Sequence, residues 1–438
     1  MLGSFGLDNY RAVTEAEGAD LLVVNTCGFI GPAREASINA ILELAEVKGR
    51  NPGSKLVVTG CLTQLFADEL AKELPEVDLF VGSGDATRIA ELVRTMREGD
   101  AQDAPVPRIQ VGKAGTLYDP DSARIHMGPS HSAYIKIAEG CSQRCTFCII
   151  PRLRGKAKSR PIESIVAEVT NLAQQGVREF NVIAQDLTHY GDDLKDEGLS
   201  SLTHLLDALS QVKDARWIRL MYCYPHGFGD ALLEHLNGPG PVVPYMDMPL
   251  QHIDDEVLKS MARRVPESET RALMDHIREQ VPDIFLRTTF LVGFPGETEE
   301  QFERLCSFAS DFQFDHSGAF AYSYEEHTLS GKRSDQVASD TGERRADQLG
   351  ELLRQASSEQ AQNRVGQIVE AVVEGLSEVE GVYTGRHWGQ APEIDGETNL
   401  HWSGTPLKAG TFVRAQIRQS VELDLEAEVL EVLELPAS

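Results

Sequence analysis

The chain has 438 residues, 41 % of them hydrophobic, and its 41 Lys and Arg against 68 Asp and Glu leave a net charge of −27. That length exceeds one ordinary core and predicts two or three domains, while the lack of any apolar run of about 20 residues predicts no membrane span, and no secretory leader is expected. The acidity argues against broad contact with nucleic-acid phosphates and favours either a basic partner or a merely well-solvated surface.

Residues 1–98 read as an α/β domain. Leu21-Leu22-Val23-Val24-Asn25 is a short buried strand ending at Thr26-Cys27-Gly28. Pro32 then suits a first helical turn, and Ile38, Ile41, Leu42 and Ala45 mark one helix face. Leu56-Val57-Val58-Thr59 repeats the pattern before Gly60-Cys61, with a helix through Leu65, Leu70 and Leu74, and Val77–Val81 supplies a further strand. Alternating strands and helices imply a parallel sheet. Cys27 and Cys61 then fall beyond the carboxyl ends of strands, where open α/β sheets place ligands; buried structural cysteines are the plain alternative. Residues 1–20 read as the tail of a helix and a connection. The polar, Pro-containing stretch around Gly99–Pro107 reads as part of a linker over 99–126.

In residues 127–360 strand-like runs near Tyr134–Ala138, Phe180–Ala184, Trp217–Tyr222, Tyr245–Met248, Phe285–Val292 and Gly318–Tyr322 alternate with helical patterns. Six such βα units predict an incomplete barrel with function at the carboxyl ends of its strands. After the first run comes Cys141-Ser142-Gln143-Arg144-Cys145-Thr146-Phe147-Cys148, three thiols spaced C-x3-C-x2-C. A four-iron cluster normally takes four thiolates, so three leave one iron open to bind a small molecule. Zinc is the rival, but its tetrahedral sites usually have a fourth Cys or His close by, and none follows here. Polar residues follow other strands: Gln185-Asp186, Gln251-His252, and the turn Gly293-Phe294-Pro295-Gly296-Glu297-Thr298. That turn opens a helix and can aim backbone N–H groups at a ligand, or simply cap it. Asp186 and His252 could act as acid or base. Seven cysteines in all, thinly spread, suit metal binding in a reducing cytoplasm better than disulfides.

From 364 to 438 the period changes to alternation in Gln367–Glu374, Thr411–Ile417 and Ala427–Val432, which predicts a small antiparallel β-barrel. Val365 to Ser438 holds 13 acidic and 4 basic side chains, a net of −9. Such a surface repels phosphate and attracts a Lys- and Arg-rich protein, unless it reflects only the acidity of the whole chain.

The stretch Glu139-Gly140-Cys141 through Cys148-Ile149-Ile150-Pro151, followed by Arg154-Gly155, resembles the methylthiotransferase family of radical S-adenosylmethionine enzymes. The resemblance implies a [4Fe-4S] cluster on Cys141, Cys145 and Cys148 whose open iron chelates S-adenosylmethionine. It also implies cofactor contacts from Gln185, Asp186, Gln251, His252, Gly293, Pro295, Gly296 and Glu297. Asn25-Thr26-Cys27-Gly28 and Thr59-Gly60-Cys61-Leu62 resemble two of three cysteine motifs that hold the family's auxiliary, sulfur-delivering [4Fe-4S] cluster. The third would precede Cys27, yet none of the first 26 residues is Cys, so the N-terminal domain is expected to lack its first strand and one ligand. Neither Cys223 nor Cys306 lies in a motif-like context.

The C-terminal segment resembles the TRAM module, an OB-like domain. Ala391-Pro392-Glu393-Ile394-Asp395-Gly396 resembles the RimO branch, which adds a methylthio group to the β-carbon of an aspartate in ribosomal protein S-twelve. These resemblances imply a cytoplasmic enzyme, with that protein or the small ribosomal subunit as partner through the acidic C-terminal domain. An external electron donor and a sulfur donor are also implied, with nucleic acid not the direct target. A transfer-RNA methylthiotransferase and a truncated non-catalytic relative stay open as alternatives.

Overall fold

The computed structural model describes residues 1–101, 107–117, 124–194, 201–227 and 229–436, so parts of the expected linker lie outside the described residues. The chain divides into two units. One comprises residues 1–125, 138–158 and 323–332; the other comprises 126–137, 159–322 and 333–438.

The first unit is built on a parallel sheet of four strands in the order β1 (Leu21–Thr26), β2 (Lys55–Gly60), β3 (Leu79–Gly82) and β4 (Ile109–Gln110). β2 is apolar almost throughout because helices cover both faces of the sheet, as parallel sheets require. Leu22, Val24, Leu56, Val58 and Phe80 pack with Ile41 and Leu62 from the helices Gly31–Arg50 and Cys61–Glu73. Val57, Leu79 and Val81 pack on the other side with Phe5, Ile89 and Val93. Leu42 does not join the expected helix face; it is 45 % exposed. The sheet has too few strands to cover a stripe that wide, and Ile41 alone is fully buried there.

The second unit starts with β5 (Ser132–Lys136). In the chain β6 (Ala138–Glu139) and β7 (Lys158–Ser159) then bracket the three-cysteine loop. β5 continues a six-stranded parallel sheet with β8 (Glu179–Ile183), β9 (Trp217–Met221), β10 (Val242–Asp247), β11 (Phe285–Val292) and β12 (His316–Ala321). These strands neighbour one another in sequence order, and the edges β5 and β12 are not joined, so the barrel stays open. Helices alternate with the strands, among them Ile162–Gln174, Leu202–Ser210, Asp230–Asn237, Glu267–Gln280 and Glu299–Phe312, the last opened by a Thr298–Gln301 capping box.

A further helix, Ser339–Asn363, has no clear signal in the sequence. It is rich in charged and small residues and turns only Leu349, Leu353 and a few others inward. Among the described residues no helix is long and apolar enough to cross a membrane.

The C-terminal barrel closes through β13 (Ile368–Leu376), β14 (Val382–His387), β15 (Thr398–His401), β17 (Asp424–Glu434) and β16 (Phe412–Val421). Its pairing is antiparallel except for β15 with β17, which run parallel, a departure from the purely antiparallel expectation. Two strands that the alternation does not mark, β14 and β15, are short and carry polar residues engaged in buried hydrogen bonds.

Candidate functional site

In the first unit the register of β1 against β2 pairs Thr26 with Gly60. Cys27 and Cys61 are the next residues along each chain, so they leave neighbouring strands at the same level. Gly28 sits so close to the second motif that a Cβ there would meet the Cys61 carbonyl carbon and oxygen and the Leu62 nitrogen at 2.8 Å. Gly60 takes φ +109° and would run its Cβ into Thr26, which only glycine avoids. Cys61 is buried and Cys27 exposed. The Arg154 Nε donates to Cys61 Sγ at 3.1 Å, and its Nη1 lies 3.5 Å from Glu139 Oε2. One guanidinium thus links a thiol of the first sheet to the residues around the three-cysteine loop.

That loop turns tightly. Gly140, at φ +79°, is surrounded by the carbonyl oxygens of Arg154, Gly155 and Lys156, so no side chain fits there. Cys141 N donates to Gly155 O at 3.1 Å and closes the loop, and Cys148 N donates to Cys145 O at 3.1 Å within it. Cys141 is buried and Cys145 and Cys148 are half-buried; none is in a disulfide. Among the described residues no three His, Cys, Asp or Glu side chains converge on the position of a single ion. A four-iron cluster asks for something else, since each thiolate ligates a different iron and the sulfurs stand further apart than the ligands of one zinc. Three thiols spaced C-x3-C-x2-C on one tight loop, with no fourth Cys or His close by in the sequence, fit a cluster with an open iron. Cys27 and Cys61 supply two thiols toward a second one.

The segment after β12 adds residues that no sequence motif marks. Glu325 is buried; it accepts from Gly31 N at 3.1 Å and pairs with Arg34 at 2.5 Å, fixing the start of the helix that follows Cys27. Ser330 N donates to Thr146 O, and Arg152 Nη1 to His327 O, so the same segment holds the three-cysteine loop. The sequence carries no signal for this, because Glu325 lies far along the chain from everything it holds.

In the second unit, the strand-end residues fall into two groups. Among the described residues Gln185 has a buried Oε1 without a hydrogen-bond partner, and His252 a buried, unpartnered Nε2. His252 accepts from Asp254 N at Nδ1, which places its proton on Nε2, and burial drives its pKa down to about 3, so it stays neutral. Gln251 is held at φ +70° by Gln251 N to Thr289 O and Leu291 N to Gln251 O. Asp186 accepts from Thr188 N and Oγ1, an Asx-type turn.

The second group looks inward. A Cβ on Gly293 would meet Gly342 of the helix Ser339–Asn363 at 2.7 Å, and Pro295 is buried. Gly296 needs its φ of +82° to turn past Asp335. Glu297 is buried, accepts from Phe294 N at 3.2 Å and from Arg345 Nη1 at 2.9 Å, and lies 3.9 Å from His252 Nε2. Burial lifts its carboxyl to about 7 against the pull of Arg345. It braces the turn from within.

The same unit shows what the C-terminal barrel does to the sheet. Its segment Arg386–Asp395 fills the inner face. Arg386 makes a two-pronged contact with Glu179, at 3.1 and 2.8 Å, while Arg219 reaches Glu179 at 3.1 Å and Trp388 O at 2.6 Å. Asp395 accepts from Tyr245 Oη at 2.8 Å and lies 3.4 Å from Arg287 Nε. Arg287 in turn holds Asp247 at 3.0 Å, and Asp247 accepts from the N–H of Tyr222, itself at φ +67°. Glu370 and Glu434 pair with Arg216, and Glu434 also with Arg178. Part of the acidity of this domain is therefore used within the chain.

An open six-stranded parallel sheet, whose first strand is followed in the chain by a three-thiol loop, defines a radical S-adenosylmethionine enzyme. Residues 135–309 match the radical SAM superfamily, residues 1–82 the uncharacterised protein family UPF0004, and residues 365–430 the TRAM domain. The chain is 42 % identical over 430 residues to the ribosomal protein uS12 methylthiotransferase RimO of Desulforamulus reducens, covering 98 % of this chain and 95 % of that one. It is 41 % identical to the protein of the same name from Bdellovibrio bacteriovorus, covering 98 % and 93 %. The chain belongs to the RimO family of sulfur-transferring radical S-adenosylmethionine enzymes. Membership carries with it an iron–sulfur cluster and S-adenosylmethionine as cofactors. In fold it is similar to the radical S-adenosylmethionine methyltransferase TsrM from Kitasatospora setae, with a TM-score of 0.54 and 17 % identity over 75 % of this chain and 66 % of that one.

Proposed function

We propose that this chain adds a methylthio group to the β-carbon of an aspartate in ribosomal protein uS12. The observation that carries this is the 41–42 % identity, over 98 % of the chain, to relatives that bear that name. Cys141, Cys145 and Cys148 would hold one [4Fe-4S] cluster. Cys27 and Cys61 would contribute to an auxiliary one, with Arg154 as a cationic donor on Cys61. When bound, the cluster and S-adenosylmethionine supply one-electron chemistry able to take hydrogen from an unactivated carbon.

The chain's own residues do the positioning. Gly140 and the Gly155 carbonyl keep the thiol loop tight, and Glu325 steadies the elements on either side of it. Gln185, Asp186, Gln251 and His252 would meet the cofactor, supported by the unpartnered atoms of Gln185 and His252. Gly293, Pro295, Gly296 and Glu297 would hold the shape of that site, Glu297 from behind. The domains are read as 1–98, 127–360 and 364–438, joined by a linker over 99–126. The enzyme would work in the cytoplasm with external electron and sulfur donors, and the outward acids of the C-terminal barrel would meet the basic ribosomal partner.

The test is anaerobic reconstitution, iron and sulfide analysis, and incubation with uS12, S-adenosylmethionine and a reductant. About eight irons per chain and a uS12 mass gain of one methylthio group are expected. Cleavage of S-adenosylmethionine with no change in uS12 would refute the substrate.

A further inference from the structure

The segment that fills the inner face of the six-stranded sheet is buried at both ends and open in its middle. Ala391 is fully buried and the Asp395 side chain is 1 % exposed, yet Ile394 between them is 47 % exposed and Glu393 is exposed too. Glu393 is held at φ +69°, a conformation that a residue with a side chain adopts at a cost. The anchors on either side impose it: Tyr134 Oη donates to Pro392 O at 3.4 Å, and Asp395 is fixed by Tyr245 and by Ala391 N.

One aromatic residue, Tyr134, borders this opening through its bond to Pro392 O. Tyr134 is 38 % exposed on β5. Burial lifts the Tyr134 phenol, and the charges of Glu393 and then Glu179 add to the rise against the pull of Arg386. Among the described residues Glu393 has no ion-pair partner, as is also true of Glu378, Glu380, Glu397, Glu422 and Asp424 of the same domain, whereas its neighbours in the fold Glu370, Glu374, Asp395 and Glu434 each have one.

A carboxylate accepts hydrogen bonds only, and tyrosine faces attract cations. We propose that Glu393, beside Tyr134, is a specificity-determining carboxylate that receives a Lys or Arg side chain of the substrate protein. The inference rests on uS12 being the substrate, and it extends that reading to a named contact. The recognition comes from the C-terminal domain, while the chemistry belongs to the cysteine loop. The backbone strain at Glu393 then serves to aim the carboxylate outward from a rigid anchor.

The test measures KM for uS12 and, separately, for S-adenosylmethionine, with the reconstituted wild type and the variants Glu393→Gln, Glu393→Lys and Glu393→Gly. The Gln variant should raise the uS12 KM about tenfold, the worth of one hydrogen bond to a charged group, with the change in KM rather than kcat. The Lys variant should do worse, and regain activity toward one uS12 variant in which a Lys or Arg is replaced by Glu. The Gly variant relieves the backbone, so a purely structural role predicts wild-type KM for it; recognition predicts the same loss as Gln. Unchanged uS12 KM in the Gln and Gly variants, or a shift in the S-adenosylmethionine KM instead, would overturn the inference alone. No methylthio product from the wild type would sink both this inference and the substrate reading beneath it.

Discussion

Glu179 carries the joint between the six-stranded sheet and the C-terminal barrel, and its removal gives the sharpest test of how the two are held. Its side chain is fully buried; that of Arg219 is equally so and that of Arg386 is 3 % exposed. Burial alone would raise the carboxyl, but Arg386 and then Arg219 outweigh it and hold the pKa at about 2 instead of 4.5. Glu179→Gln keeps the shape, leaves Arg219 without a carboxylate and leaves Arg386 with Glu374 alone. Removing one partner of a buried ion pair costs about 3–5 kcal/mol. The depressed pKa gives a similar figure, about 3 kcal/mol at neutral pH, by linkage.

Since the folded pKa lies below the unfolded one, this stabilisation is present above pH 4.5 and lost as pH falls toward 2. All three tryptophans, Trp217, Trp388 and Trp402, lie in this unit, so their fluorescence reports its unfolding in urea. The expected midpoint falls by about 1 M at neutral pH, and the deficit shrinks on acidification. Adding Arg219→Met to Glu179→Gln should recover part of the loss, because it removes the cation left without a carboxylate. A Glu179→Gln midpoint within about 0.2 M of wild type would show that the network does not hold the joint.

Cys145→Ala should remove about four irons per chain and abolish S-adenosylmethionine cleavage; full iron retention would count against a loop-held cluster. Gly28→Ala pushes a methyl group against the Cys61 backbone and should destabilise the first unit by about 1–3 kcal/mol, read by thermal melting. Arg154→Gln removes the donor at Cys61 Sγ, and should shift the auxiliary cluster to a more negative potential in an electron paramagnetic resonance titration; an unmoved potential would detach Arg154 from that cluster.

Most strands and helices are legible in the sequence because their periods are local: the β-branched runs of β1 and β2, the alternation in β13, the capping box at Thr298. The chemistry class is legible too, since three thiols at C-x3-C-x2-C must lie on one loop however the rest folds. Pattern misleads where the partner is remote or the signal weak. Leu42 looks like core and is exposed, and the polar helix Ser339–Asn363 shows no clear stripe. Cys27 and Cys61 come level with each other only on folding, since strand register is a pairing between distant segments. Folding likewise turns Glu325 toward the helix after Cys27. The acidic count of the C-terminal segment is plain in composition, but which acids face outward is decided by Arg178, Arg216 and Arg287, far earlier in the chain. Charge is additive along a sequence, whereas the burial and pairing of each charge depend on neighbours that only the folded chain brings together.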